Sequence, residues 1–137
     1  TGITRSTKDV LTEQKKNTEN DSKKFENLQK MKALAEELCD ALNNDNINHF
    51  GEILHKGWLL KRELASSISS PEIDQYYETA LAAGAIGGKL LGAGGGGFLL
   101  FYCPEEKKER VIAALPLEHI PFTFDTQGSK IIYVGDK

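Results

Sequence analysis

Apolar residues recur at helical spacing through the first part of the chain and then change character. Residues 7 to 19 are strongly polar, with Val10 and Leu11 as adjacent apolar positions, so a first helix there is expected to pack along a narrow stripe. Ser6 stands where it could cap this helix, and Asp9 follows where a capping box places its acid. A second helix is expected from near Ser22, because Phe25, Leu28, Met31, Ala35, Leu38 and Leu42 fall at intervals that put them on one face. The stretch "LNNDNINHF" breaks it, since Asn and Asp side chains bond their own backbone and favour turns. Ile47, Phe50, Leu54, Trp58 and Leu64 then resume the helical period through residue 65, and the two long helices are expected to pair antiparallel.

Serines 66, 67, 69 and 70 interrupt the pattern again. Ser70, Pro71 and Glu72 read as N-cap, first helical residue and dipole-compatible acid. Ile73, Tyr76, Tyr77, Ala80 and Leu81 supply the next apolar face, and Gly84 is a natural stop. Beyond it the texture turns to glycine and short apolar runs. Residues 86 to 91 suggest a short strand, and "FLLFYC" at 98 to 103, with no alternation, suggests a strand covered on both faces. Pro104 opens a helix over 105 to 115 whose Val111, Ile112 and Leu115 can cover that strand. Phe122 and Phe124 alternate, "TQGS" can turn, and "KIIYV" at 130 to 134 predicts a further strand. A helical half followed by a small mixed sheet is an α+β arrangement.

Composition narrows the function classes. A chain of 137 residues fits one domain with a real core. A formal net charge of -3, from 17 basic and 20 acidic residues, supplies no broad positive field for nucleic acid or an anionic membrane. No stretch reaches membrane-span length and no signal peptide is evident, so the expected location is cytoplasmic. Cys39 and Cys103 are far apart in sequence and read as buried thiols in a reducing compartment. His49, His55 and His119 show no metal-ligand spacing, and no Ser-His-acid or paired-carboxylate arrangement stands out. "EQKK" and "DSKK" mix their lysines with acids or amides and read as solvated helix faces.

The candidate chemistry lies in "GGKLLGAGGGGFLL" at 87 to 100. Eight of the 13 glycines fall between residues 84 and 97. Successive backbone N–H groups in such a loop can form a concavity for anionic oxygens, and the missing Cβ atoms allow close approach. The same glycines can equally serve only a tight connection between strands. Neither the GxxxxGK[ST] phosphate loop nor a dinucleotide fingerprint is present. Lys89 reads either as a phosphate ligand or as a solvated strand residue, and Arg5 carries the donor fork that suits phosphate.

"KLLGAGGGGFLLF" resembles the third motif of the GHMP small-molecule kinases. "TGITRS" at 1 to 6, "HKGWLLKRELASSISSPEID" at 55 to 74 and "AGAIGGKLLGAGGGGFLLFYCP" at 83 to 104 are most similar to the bacterial D-glycero-D-manno-heptose 7-phosphate kinases within it. The resemblance implies a C-terminal domain with a helical segment and a ferredoxin-like mixed sheet, spanning residues 1 to 137. The N-terminal ATP-binding domain, with its PxGxGLGSS-type loop and catalytic acid, is not in this sequence and is expected upstream. The implied reaction is transfer of the ATP γ-phosphoryl, with Mg2+, to the anomeric hydroxyl of a heptose 7-phosphate. A fucose or other sugar kinase, or a noncatalytic module that binds a small molecule or a protein, stands as the alternative. By the same resemblance Gly92, Gly94, Gly95 and Gly96 face the nucleotide phosphates, Gly2, Arg5 and Lys89 lie at the sugar or its phosphate, and no catalytic residue falls within the chain. The apolar surface that met the other domain would be exposed and can drive association into a homodimer.

Overall fold

The computed structural model describes residues 1–125, 127, 128 and 130. In chain order the elements are α1 (Thr7–Asn20), α2 (Ser22–Asn43), α3 (Ile47–Arg62), α4 (Pro71–Ala83), β1 (Gly87–Leu90), β2 (Leu99–Tyr102), a short 3-10 turn (Glu105–Lys107) and α5 (Lys108–Ala114).

The helix boundaries follow the cap chemistry in most places. Asp21 caps α2 by accepting from the N–H groups of Lys23 and Lys24. Asp45 takes a left-handed conformation, φ 55°, between α2 and α3, and the Asn46 side chain accepts from the His49 N–H at 3.4 Å. Ser70 caps α4 by accepting from Ile73 N–H at 3.3 Å, with Pro71 in the first turn, and Gly84 ends that helix at φ 121°. Ser6 occupies the N-cap position of α1, but its side chain makes no capping bond; only its carbonyl accepts, from Asp9 and Val10.

Helices α2 and α3 are antiparallel, as a descending series of contacts shows. Asn27 donates to Glu63 at 2.9 Å, a Cβ on Gly57 would touch Leu34, and Glu37 pairs with His49 at 2.8 Å. The face of α2 turned inward is not the expected one. Asn27 and Ala41 are buried and Met31, Leu34 and Leu38 half-buried, whereas Phe25, Leu28, Ala35 and Leu42 are exposed. The rotation places Asn27 where it can reach Glu63, a bond that an apolar period does not signal. Val10 is buried and Leu11 exposed, so the α1 stripe is as narrow as its sequence implies.

The main core gathers Val10, Trp58, Leu64, Ala65, Ile68, Ile73, Tyr77 and Leu90, and a second cluster of Ala80, Ala83, Ala85 and Val111 lies under Phe101 and Cys103. Strands β1 and β2 are antiparallel, pairing Gly87 with Tyr102 and Leu90 with Leu99. The expectation that β2 is covered on both faces is corrected: all four residues are half-buried and Phe98 is exposed. Along β2 runs an apolar cleft of about 720 Å³ whose lining includes Leu99, Leu100, Phe101, Ile112, Leu115 and Phe122. Residues 118–125 form neither helix nor strand, and the exposed rings of Phe122 and Phe124 meet edge to face, 5.4 Å between centroids. The strand expected at 130–134 lies, apart from Lys130, outside the described residues. Cys39 is exposed rather than buried, because it sits on the outward side of α2; Cys103 is half-buried, and burial raises its thiol pKa.

β1 lies directly on α3. A Cβ on Gly87 would run into the Gly51 carbonyl oxygen and stand 2.9 Å from His55 Cβ, and one on Gly51 would stand 2.6 Å from the Tyr102 ring. Gly87→Ala is therefore expected to lower stability by about 1–3 kcal/mol, read as a shift in urea midpoint at unchanged slope.

Helix α1 is tied to the serine segment through Glu13. Its carboxylate accepts from Ser66 N–H and Ser66 Oγ, each at 2.9 Å, and from Ser67 Oγ. The Ser67 hydroxyl foremost, opposed by burial and helped by the Ser66 contacts, holds the Glu13 carboxyl below its ordinary value of 4.5. A depressed folded-state pKa stabilises above the unfolded value, and that stabilisation fades as pH falls through the folded one. The Glu13→Gln variant should consequently lose less stability than the wild type between about pH 5 and about pH 3, measured by urea unfolding across that range.

Candidate functional site

The glycine loop, residues 91 to 98, is held between two other segments. On one side the chain start runs beside it: Thr1 N and Oγ1 donate to the Gly97 carbonyl at 2.9 and 2.8 Å, and Gly97 N–H donates to the Ile3 carbonyl at 3.1 Å. On the other side Gly95 N–H donates to the Ile68 carbonyl at 2.8 Å. Leu91 N–H and the Phe98 carbonyl close the loop at 2.8 Å.

The glycines are required by these neighbours. A Cβ on Gly94 would stand 2.8 Å from Ile68 Cα, and one on Gly95 would stand 2.8 Å from Arg5 Cδ and 2.9 Å from the Ser67 carbonyl oxygen. One on Gly96 would overlap the Ile3 carbonyl. Gly92 is different: a Cβ there would meet open space, and its φ of 84° is what calls for glycine. With Gly95 and Gly97 bonded, the N–H groups of Gly92, Ala93, Gly94 and Gly96 meet no protein acceptor among the described residues. These are the backbone donors that could face an anion.

The expected site residues fall around this loop. Arg5 is exposed with its stem against Gly95, and Gly2 is exposed at φ 66° on the same N-terminal segment. Lys89 is half-buried in β1 and, two residues from Gly87, shares the strand face that lies on α3. The sequence reading missed Lys61. Its Nζ donates to the Gly92 carbonyl at 2.5 Å, from the last turn of α3. A lysine in a final helical turn usually complements the helix dipole, so nothing in the string marks it. Burial, followed by the charge of Lys89, lowers the Lys61 pKa. Its neighbour Arg62 is already paired with Asp74 at 2.8 Å, and Ser69 Oγ donates to the same carboxylate oxygen at 2.7 Å.

Beneath the site, Tyr77 locks helix α4 to β1. Its hydroxyl accepts from Gly88 N–H and donates to the Gly88 carbonyl, both at 3.1 Å, with His55 Nδ1 at 3.0 Å. A phenol has one hydrogen, so with it on the Gly88 carbonyl His55 is the donor through Nδ1–H. Burial pushes the Tyr77 pKa up to about 12, which keeps the phenol neutral. His49 bridges Glu37 and Glu52 at the helix surface and His119 is exposed. Among the described residues no group of three or more His, Cys, Asp or Glu side chains is arranged to hold a metal ion, and no helix is long and apolar enough to cross a membrane.

Comparison with known proteins agrees with this architecture. Residues 35–120 match the GHMP kinases C terminal family. Over 133 residues the chain is 35% identical to D-glycero-alpha-D-manno-heptose 7-phosphate kinase of Campylobacter jejuni, covering 95% of this chain and 39% of that protein. The chain therefore spans less than half of that relative's length. Among solved structures, L. major mevalonate kinase in complex with R-mevalonate superposes with a TM-score of 0.73 at 22% identity, over 82% of this chain and 35% of that one, a likeness of fold.

The packing around Gly96 makes a local expectation. Gly96→Ala should push the Ile3 carbonyl away and release the N-terminal segment, so the Gly97 amide should exchange hydrogen at least tenfold faster while amides of α3 keep their protection. Unchanged exchange at Gly97 would mean that the two segments are not coupled.

Proposed function

Because the chain belongs to the GHMP kinases, as their C-terminal domain, we propose that it is the substrate-side part of an ATP-dependent sugar kinase acting on D-glycero-D-manno-heptose 7-phosphate. The observation that carries this reading is the likeness, along nearly the whole chain, to a relative named as a heptose 7-phosphate kinase. In the proposed reaction the anomeric hydroxyl oxygen attacks the γ-phosphorus, the bond to ADP breaks, and the hydroxyl proton passes to a group outside this chain. The product is the 1,7-bisphosphate.

Such a transfer depends chiefly on positioning and on stabilising charge spread over the phosphoryl oxygens. The loop at Gly92, Gly94, Gly95 and Gly96 would line the phosphate side. Gly95 contributes through packing, since its N–H is taken by Ile68, and the free donors of Gly92, Ala93, Gly94 and Gly96 would meet phosphate oxygens. Mg2+ would arrive with ATP and neutralise charge on the nucleotide, which the N-terminal ATP-binding domain would hold. Gly2 and Arg5 would lie at the sugar's 7-phosphate. The exposed guanidinium of Arg5, which forms no salt bridge among the described residues and has its stem braced on Gly95, supports a charge-assisted contact there.

Turnover is the decisive measurement. With ATP and Mg2+, the 137-residue chain should give no sustained transfer to heptose 7-phosphate, and a polypeptide in which it follows an ATP-binding domain should turn over. Preference for an unphosphorylated sugar such as fucose would reassign the substrate, and sugar-dependent turnover by the chain alone would overturn the division of labour. In the active form, Arg5→Ala should raise KM for the sugar phosphate about tenfold or more with little change for ATP. Equal effects on both substrates would remove Arg5 from the sugar side.

A further inference from the structure

The segment between α3 and α4 forms one wall of the glycine loop. Gly95 N–H donates to the Ile68 carbonyl at 2.8 Å, a Cβ on Gly94 would stand 2.8 Å from Ile68 Cα, and one on Gly95 would stand 2.9 Å from the Ser67 carbonyl oxygen. Backbone lies on backbone there, so the loop follows a displacement of residues 67 and 68 with no flexible side chain between them to absorb it. Ile68 is held from within, since it is fully buried in the main core. Ser66 and Ser67 lie outside that core and are held instead by a carboxylate from another helix.

That carboxylate is Glu13, on the second turn of α1. One oxygen accepts from Ser66 N–H and Ser66 Oγ, each at 2.9 Å, and the other accepts from Ser67 Oγ. With both oxygens engaged on two consecutive residues, the carboxylate fixes the orientation of the segment as well as its position, through bonds strengthened by its charge. Among the described residues Glu13 makes no bond to the loop itself. The same helix supplies another polar tie one turn on, where Asn17 donates to the Leu64 carbonyl at 2.9 Å. Asn17 and Glu13 both fasten α1 to the chain beyond α3, but only Glu13 ends on the residues that lead directly into the wall of the loop.

We propose that Glu13 is a positioning residue for the glycine loop: by holding Ser66 and Ser67 it sets the backbone of residues 67 and 68, on which Gly94 and Gly95 rest. A glutamate in a strongly polar helix reads from the string as a solvated side chain, and its role lies in what its two serine partners support. The bearing of this tie on phosphoryl transfer rests on the kinase reading, whereas the coupling of Glu13 to the loop does not.

The test begins with amide hydrogen exchange of the 137-residue chain, followed by NMR. In Glu13→Ala, where alanine keeps α1 helical, the Gly95 amide should exchange about tenfold faster or more relative to the amides of α3, which carry any change in global stability. Ser67→Ala, a milder variant that removes one of the three bonds, should raise the same ratio about threefold and add nothing when combined with Glu13→Ala. Asn17→Ala, which costs α1 its other tie, should leave the ratio within about twofold of the wild type. A Gly95 amide that accelerates no more than α3 in Glu13→Ala, an equal effect of Asn17→Ala, or additive effects of Glu13→Ala and Ser67→Ala would each overturn the proposal. Turnover then separates the two readings. In a polypeptide with the ATP-binding domain, Glu13→Ala should lower kcat about fivefold or more with KM for the sugar phosphate within about twofold, because a misplaced loop weakens contacts made in the transition state. Faster Gly95 exchange with unchanged kcat would uphold the coupling and remove the loop from transfer, so failure of the kinase reading and failure of the proposal give different results.

Discussion

The arrangement depends on how closely β1 approaches α3. Gly51 and Gly87 face each other with no side chain between them, so the strand rests on helix backbone rather than on a layer of side chains. That contact sets where the C-terminal turn of α3 ends relative to the loop that leaves β1. A side chain at either glycine would lift the strand away and carry Lys89 and the loop with it. At the edge of the strand, Tyr77 fixes Gly88 through both its backbone groups, and Trp58, Tyr77 and Phe101 pack together beneath it. The strand is thus held on one face by α3 and along its edge by Tyr77 within four residues, which is why so short a sheet can hold a loop in place.

The loop divides its backbone donors between structure and solvent. Gly95 and Gly97 are consumed by the Ile68 and Ile3 carbonyls, and that bonding orients the remaining N–H groups. A loop with every donor free would have to be ordered by its ligand, at a cost in conformational entropy that glycine makes especially large. Here the protein meets much of that cost beforehand. Such prior ordering is what a site needs if its donors are to stabilise charge as it develops, since no reorganisation is then required during reaction. The serine segment belongs to the same design: Glu13 gathers Ser66 and Ser67 from α1, and Asp74 gathers Ser69 and Arg62 from α4.

What was legible in the string was local. Ser70, Pro71 and Gly84 bound α4 as their chemistry requires, because a cap bonds within its own turn. The glycine loop was legible as a place of close approach, but not what approaches it: Ile68 and Ile3 are distant in sequence and carry no periodic mark. The inward face of α2 was misread because period alone does not fix which of two adjacent apolar stripes is covered. Phe25 and Leu28 belong to the stripe left outside, while Asn27 is buried by its bond to Glu63. Cys39 followed the same error outward. Lys61 was illegible for another reason, since its role lies in a bond to a carbonyl brought near by tertiary packing.

The overall charge of the chain bears on how any anion site here must act. With a net charge of -3 the domain has no broad field to steer anionic substrates from a distance. At physiological salt exposed charges are screened beyond about 8 Å, so the acidic helix faces neither repel nor attract strongly at the loop. Selectivity must arise within that range, from groups that are partly desolvated and held in position. Lys61 is one such group: it is partly desolvated, and its bond to the Gly92 carbonyl holds it in position.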